Sequence, residues 1–150
     1  MTEENQIVLT AAFSRWFKGD ESAMRLAAML TEVAHFIDDI IDGDFVPPAQ
    51  ARTGARMLLL EIPSNRFYQN NFSYMQPLLA QCWLQWLASD KMEREPQSPE
   101  DTPKCYMLRA SLYGLYHGMA VIAGGLGWAE EIGPEIYRMY GEKLGDMNHA

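Results

Sequence analysis

The chain is 150 residues long, enough for one domain with a substantial core, and its 48% hydrophobic and 21% charged residues are those of an ordinary folded globule. Twenty acidic against 12 basic residues leave a net charge of −8, with the basic residues scattered singly, which excludes the clustered Lys/Arg surface that nucleic acid requires. Cys82 and Cys105 lack CxxC spacing and exclude a disulfide framework, and the acidic start Met1-Thr-Glu-Glu-Asn lacks the basic region of a signal peptide, so a cytoplasmic protein is expected.

Residues 4–17 place Ile7, Val8, Ala11, Ala12 and Trp16 on one side of a short helix that stops at Lys18-Gly19. Asp20 caps a second helix, expected to run to about Asp42 and to end at Gly43. Pro47-Pro48 open a third over 49–60, closed before Pro63. A turn at Ser64-Asn65 leads to a short helix at 66–71. A longer one follows at 72–94, with Pro77 in its first turns or at a kink and Leu79, Cys82, Trp83, Trp86 and Leu87 as its apolar stripe. Residues 95–103, with three prolines, read as the clear loop. Helix resumes over 104–124, and Gly133-Pro134 open a last helix through Glu142 that frays over 147–150. No stretch alternates with period two. The expected architecture is all-α, a compact single-domain bundle of about six helices over 1–150.

Residues 110–129 carry no charge, and twenty residues are nominally enough to span a bilayer. The stretch also holds Ser111, Tyr113, Tyr116, His117 and five glycines, without flanking positive charge. It is read as a bundle helix rather than a membrane span. Gly114 and Gly118 on it would let a neighbouring helix approach.

The most unusual segment is the end of the second helix. Glu32, Asp38, Asp39, Asp42 and Asp44 put five carboxylates within thirteen residues, and no Lys or Arg lies between Arg25 and Arg52. Acids at a helix C-terminus face the negative end of the macrodipole, and like charges at i,i+3 and i,i+4 repel. On a helical projection Leu26, Leu30, Val33, Ile37, Ile40 and Ile41 share one side. Glu32, His35, Asp38, Asp39 and Asp42 share the other. Acids opposite leucines usually form a solvent face. The alternative is a cation site, because Mg2+ or Mn2+ takes oxygen ligands and one or two carboxylates suffice to anchor it. On that alternative Asp38, Asp39 and Asp42 are the metal ligands, with Glu32, His35 and Asp44 in support.

Asp38-Asp39-Ile-Ile-Asp42 is a DDxxD pattern. It resembles the first aspartate-rich motif of trans-prenyl diphosphate synthases and other helical terpenoid synthases, which implies Mg2+ gripping a substrate diphosphate. The resemblance covers about ten residues. The chain departs from that family in being about half its usual length and in lacking a second aspartate-rich helix, for which Glu142-x-x-x-Asp146 is a poor stand-in. Only Arg52 and Arg56 stand where diphosphate-clamping basic residues would be. A full prenyl transferase is not expected. Asp39-x-x-Asp42 also resembles, more faintly, the acidic pairs of small all-α nucleotide pyrophosphohydrolases, although the third helix offers Glu61 alone.

A broader resemblance runs through Asp38-Asp-Ile-Ile-Asp-Gly-Asp44, Glu61-Ile-Pro-Ser-Asn-Arg-Phe-Tyr68, Gln76-Pro-Leu-Leu79 and Trp128-Ala-Glu-Glu-Ile-Gly-Pro-Glu-Ile136. It is similar to a group of small uncharacterised proteins of tailed bacteriophages. The resemblance implies an accessory phage protein, located in the host cytoplasm, and brings no catalytic residues with it.

Arg109, Tyr113, Tyr116 and His117 fall on one stripe of the helix at 104–124. Facing the acidic helix, Arg109 could hold a phosphate and His117 could move a proton. The commoner role for such residues is structural, with the rings in the core and Arg109 at its rim. Nucleophile triads, phosphate loops and Cys/His metal spacings are absent from the sequence. Two functions therefore stand as expectations. One is a divalent-cation site, with or without a diphosphate ligand. The other is a non-enzymatic interaction or assembly protein whose acidic face docks on a basic phage or host protein.

Overall fold

The computed structural model describes residues 3–147, and every regular element among them is helical. The chain forms two compact units, Met1–Phe72 and Ser73–Ala150. In the first lie α1 (Glu3–Trp16), α2 (Glu21–Asp42), α3 (Pro48–Arg56), a π turn (Met57–Glu61) and α4 (Arg66–Asn70). In the second lie α5 (Phe72–Arg94), α6 (Asp101–Arg109), α7 (Ser111–Gly124), α8 (Leu126–Arg138) and a 3-10 turn (Leu144–Met147). The fold class is all-α, with eight α-helices among the described residues rather than about six. The expected fraying over 147–150 falls on residues 148–150, outside the described residues, and on Met147, which ends the 3-10 turn.

The first unit is organised around α2, which packs against α1, α3 and α4. Trp16 and Phe17 from the end of α1 are buried with Ala23, Leu26, Ala27 and Leu30 of α2, and the rings of Phe13 and Phe17 stack at 5.7 Å. Asp20 caps α2 as expected, its carboxylate accepting a 3.0 Å bond from the Ala23 amide. Gly54 lets α3 approach α2, because a Cβ there would stand 2.6 Å from Cδ1 of Phe36. Asn65 ties the unit's two ends together. Its Oδ1 accepts from the Tyr68 amide at 2.9 Å, capping α4, and its Nδ2 donates to the Ser22 carbonyl at 2.9 Å.

The third predicted helix is α3 continued by the π turn, where the Ile62 amide bonds the Met57 carbonyl five residues back. Leu58, Leu59 and Leu60 of that turn are exposed.

In the second unit the core is α7 against α8, with Leu115, Tyr116, Met119 and Ala120 buried on one and Ala129, Ile132 and Ile136 on the other. Gly118 accommodates a side chain rather than a helix backbone, since a Cβ there would meet Cδ1 of Leu78 at 2.7 Å. Three boundaries differ from the sequence-based expectation. The helix begins at Asp101 rather than Lys104, because Pro103 sits in the first turn, where its missing N–H costs nothing. It then breaks at Ala110, so residues 104–124 form two helices. Finally, α8 starts at Leu126 and carries Gly133-Pro134 in its interior. Pro134 removes the amide that the Glu130 carbonyl would take, at a residue that is exposed to water.

Gly125, at φ 89° and ψ 170°, separates α7 from α8 in a conformation that an L side chain rarely adopts. The uncharged run 110–129 is thereby divided, and among the described residues no helix is long and apolar enough to cross a membrane.

Candidate functional site

The acidic segment is the last three turns of α2 and its C-cap. Burial along the helix fades toward this end. Leu26, Leu30 and Val33 are buried and Ile37 is half-buried, while Ile40 is 52% and Ile41 37% exposed. The apolar side predicted from Leu26 to Ile41 thus extends into the core only as far as Val33. Beyond it the helix outruns the elements that cover it.

The helix ends in a Schellman motif. Gly43 takes φ 77°, its amide bonds the Ile40 carbonyl at 3.2 Å, and the Asp44 amide bonds the Asp39 carbonyl at 2.9 Å. Two of the carbonyls that helix termini leave orphaned are satisfied in this way, and the direction in which residues 44 and 45 leave the helix is set.

Of the predicted cation ligands, Asp38 and Asp39 are half-buried and Asp42 is exposed. Asp39 is oriented by α3, because Gln50 Nε2 donates to its Oδ2 at 3.2 Å. Glu32, His35 and Asp44, the supporting residues, are all exposed. Among the described residues, no group of three or more His, Cys, Asp or Glu side chains is gathered closely enough to hold a metal ion. Arg56, one of the two basic residues that follow the acidic segment, lies 3.7 Å from Glu61, which also meets Arg25 at 3.5 Å. Both arginines are well exposed, and pairs of this kind contribute little to stability.

The second set of candidates lies in the other unit. Arg109 ends α6 while Tyr113, Tyr116 and His117 belong to α7, so the single stripe predicted from them is interrupted at Ala110. Arg109 is held by two carboxylates, Nη1 at 2.7 Å from Glu93 Oε2 and Nε at 3.2 Å from Glu142 Oε2. The Tyr140 hydroxyl donates to the same Glu142 carboxylate, and the Tyr106 hydroxyl donates to the Glu142 carbonyl at 2.9 Å. Burial first, then the Glu142 carboxylate, pushes the Tyr140 hydroxyl well above the usual tyrosine range. Tyr113 packs between Tyr116 and Tyr140, at ring separations of 5.2 Å and 5.4 Å, and burial raises its hydroxyl as well.

Tyr116 is fully buried. His117 Nε2 donates to the Ala129 carbonyl at 2.8 Å, so in the neutral ring Nδ1 accepts from the Tyr137 hydroxyl at 3.1 Å. The imidazole also lies over Gly133, where a Cβ would come within 3.1 Å of it. These four residues join α6, α7 and α8 to the chain's closing loop.

Neither cysteine is poised as a nucleophile. Burial pushes both thiols up, and at Cys105 the nearby Glu93 and Asp101 add to the effect.

What sequence reasoning missed is Glu142 as the centre of a polar-aromatic cluster, and Gln50 as the partner of Asp39. The first was legible in part. Tyr106, Arg109, Tyr113 and Tyr140 form an unusually dense set of long polar side chains, but the break at Ala110 that brings them together leaves no mark in the sequence.

No protein-family model matches this chain, and neither a curated protein nor a solved structure matches it.

Proposed function

We propose that this chain is a non-enzymatic interaction protein, of the accessory kind that its resemblance to phage proteins implies, and that the C-terminal end of α2 docks on a basic protein surface. The observation that carries this reading is the exposure of Glu32, Asp42 and Asp44 along one helix end. Carboxylates spread over an outward-facing helix end, reinforced by the negative end of its dipole, attract a cationic surface and steer its approach. The net charge of −8 adds a long-range contribution of the same sign.

The test is capture of partners from a bacterial lysate by wild type and by a variant carrying Glu32→Gln, Asp42→Asn and Asp44→Asn. All three positions are exposed, so the variant keeps the fold. A basic protein held by wild type at low salt should be released at high salt, since exposed charges are screened beyond about 10 Å at 0.1 M. It should also be missing from the variant. Equal retention by both proteins would place the interface elsewhere.

A second reading keeps the cation. Asp38 and Asp39 are the most enclosed of the acids, and an amide that fixes a carboxylate, as Gln50 fixes Asp39, is a usual companion of a metal ligand. Millimolar Mg2+ or Mn2+ would then raise the melting temperature of wild type and not that of Asp38→Asn/Asp39→Asn. Absence of any shift would remove this reading and leave the first untouched.

A further inference from the structure

We infer that the end of α2 recognises one kind of occupant, a cationic amphipathic segment of another protein whose apolar side chains cover Ile40, Ile41 and Phe45. This rests on the docking reading above and specifies the partner's chemistry. Three large apolar side chains stand exposed within six residues of chain, with Phe45 at 85%. Scattered surface leucines are ordinary, but an aromatic ring this bare, a few residues after two partly exposed isoleucines, is an anchor without a socket. Asp42 and Asp44 alternate with them along the chain and are exposed too, Asp42 on the other side of the helix end from Ile40, so an occupant meets both by wrapping that end.

The patch is also built in advance. The Schellman bonds from Gly43 and Asp44 hold the backbone that carries Ile40 through Asp44, so a partner would not have to order it, and that saving favours binding.

Charge selects among the occupants. A lipid surface covers exposed apolar side chains, but natural anionic headgroups repel carboxylates, and interfacial segments carry Lys and Arg for that reason. A second copy of this chain, docked through the same patch, would oppose Asp42 and Asp44 to their own equivalents. Nucleic acid is repelled outright. A segment with Leu or Phe on one side and Lys or Arg flanking it satisfies both components at once. The apolar side chains then supply the affinity, and the charges supply rate and orientation.

The experiment measures fluorescence anisotropy of two labelled synthetic peptides of equal positive charge, one alternating Lys with Leu at helical spacing and one with Ser in place of Leu. Each is titrated with wild type, Ile41→Ser/Phe45→Ser, Asp42→Asn/Asp44→Asn, and Glu130→Gln/Glu131→Gln as an exposed control in the other unit. The Lys/Leu peptide should bind wild type and the control alike. Its binding to Ile41→Ser/Phe45→Ser should be weaker by about tenfold or more, since even one of the two apolar side chains removed is worth that much when buried. The Lys/Ser peptide should bind weakly and without regard to the serine substitutions.

Equal binding of the Lys/Leu peptide to wild type and Ile41→Ser/Phe45→Ser would overturn the inference. Charge docking would still stand if Asp42→Asn/Asp44→Asn bound less. If that variant also bound as wild type, the docking reading itself would fall. Wild-type binding to phosphatidylglycerol vesicles that is lost in Ile41→Ser/Phe45→Ser would overturn the inference in favour of a membrane. A wild-type dimer in sedimentation, absent from the same variant, would overturn it in favour of self-association.

Discussion

Phe36 of α2 packs against Gly54 of α3, where a single added carbon would come within 2.6 Å of the ring. Past that contact burial falls away, with Asp38 and Asp39 half-buried and Ile40 to Phe45 exposed. The first half of α2 thus anchors the helix in the core, and its end stands largely outside it.

The division can be measured along α2 by truncation. Leu26→Ala should cost about 2–5 kcal/mol as a core substitution. Ile37→Ala, at a half-buried position, should cost clearly less, and Ile40→Ala no more than about 0.5 kcal/mol. Urea midpoints of the three variants would check the gradient. An Ile40→Ala cost equal to that of Leu26→Ala would mean that the end of α2 is covered after all.

His117→Ala should destabilise the second unit by ~1–3 kcal/mol, because it removes two hydrogen bonds and the ring that covers Gly133. Tyr137→Phe removes only one bond, at a partly exposed residue, and should cost less than about 1 kcal/mol. Chemical denaturation of both variants gives the comparison. A larger loss from Tyr137→Phe would show that the histidine is not the organising partner.

Alkaline pH should loosen the cluster around Glu142. The Tyr140 hydroxyl is raised in the folded state, so its ionisation is favoured by unfolding. Its contribution to stability is complete below the ordinary tyrosine value near 10, and shrinks as pH rises above it. Absorbance titration at 295 nm should show Tyr140 ionising above the ordinary tyrosine range, and Glu142→Gln should bring it down toward that range. No change in that variant would remove Glu142 as a cause.

Cys105 is buried, its hydroxyl neighbour Ser89 donating to the Cys105 carbonyl at 3.1 Å, and its thiol is raised. It should react with a thiol reagent at neutral pH far more slowly in the native protein than in urea, and Cys82, half-buried and also raised, should be intermediate. Fast native labelling of Cys105 would contradict its placement.

The local parts of the fold were legible in the sequence because their causes are local. Asp20, Gly43 and the apolar spacing between them define α2 without reference to anything else, and Asn65 stands where a cap is needed. What escaped were features decided by contact at a distance. Ile40 and Ile41 continue the same helical stripe as Leu26, and periodicity cannot tell a side that is covered from one that is not. Gly133-Pro134 has the form of a helix start, yet Gly125 eight residues earlier opens the helix. The site was legible as a run of acids on a helix face. That Gln50 of α3 is set against Asp39 is decided by the packing of α3 on α2, which no spacing in the sequence records.

The hydrogen bond from Asn65 to the Ser22 carbonyl joins residues 43 apart, whereas α1 with α2 and α2 with α3 are neighbours in the chain. Neighbouring helices meet with little loss of chain entropy, and such topologies fold quickly. The 22–65 contact should therefore form late, after α1, α2 and α3 have met and the transition state has passed, with α4 taking its place last. Weakening this one amide, as in Asn65→Ala, should therefore show chiefly as faster unfolding, with the rate of refolding nearly unchanged.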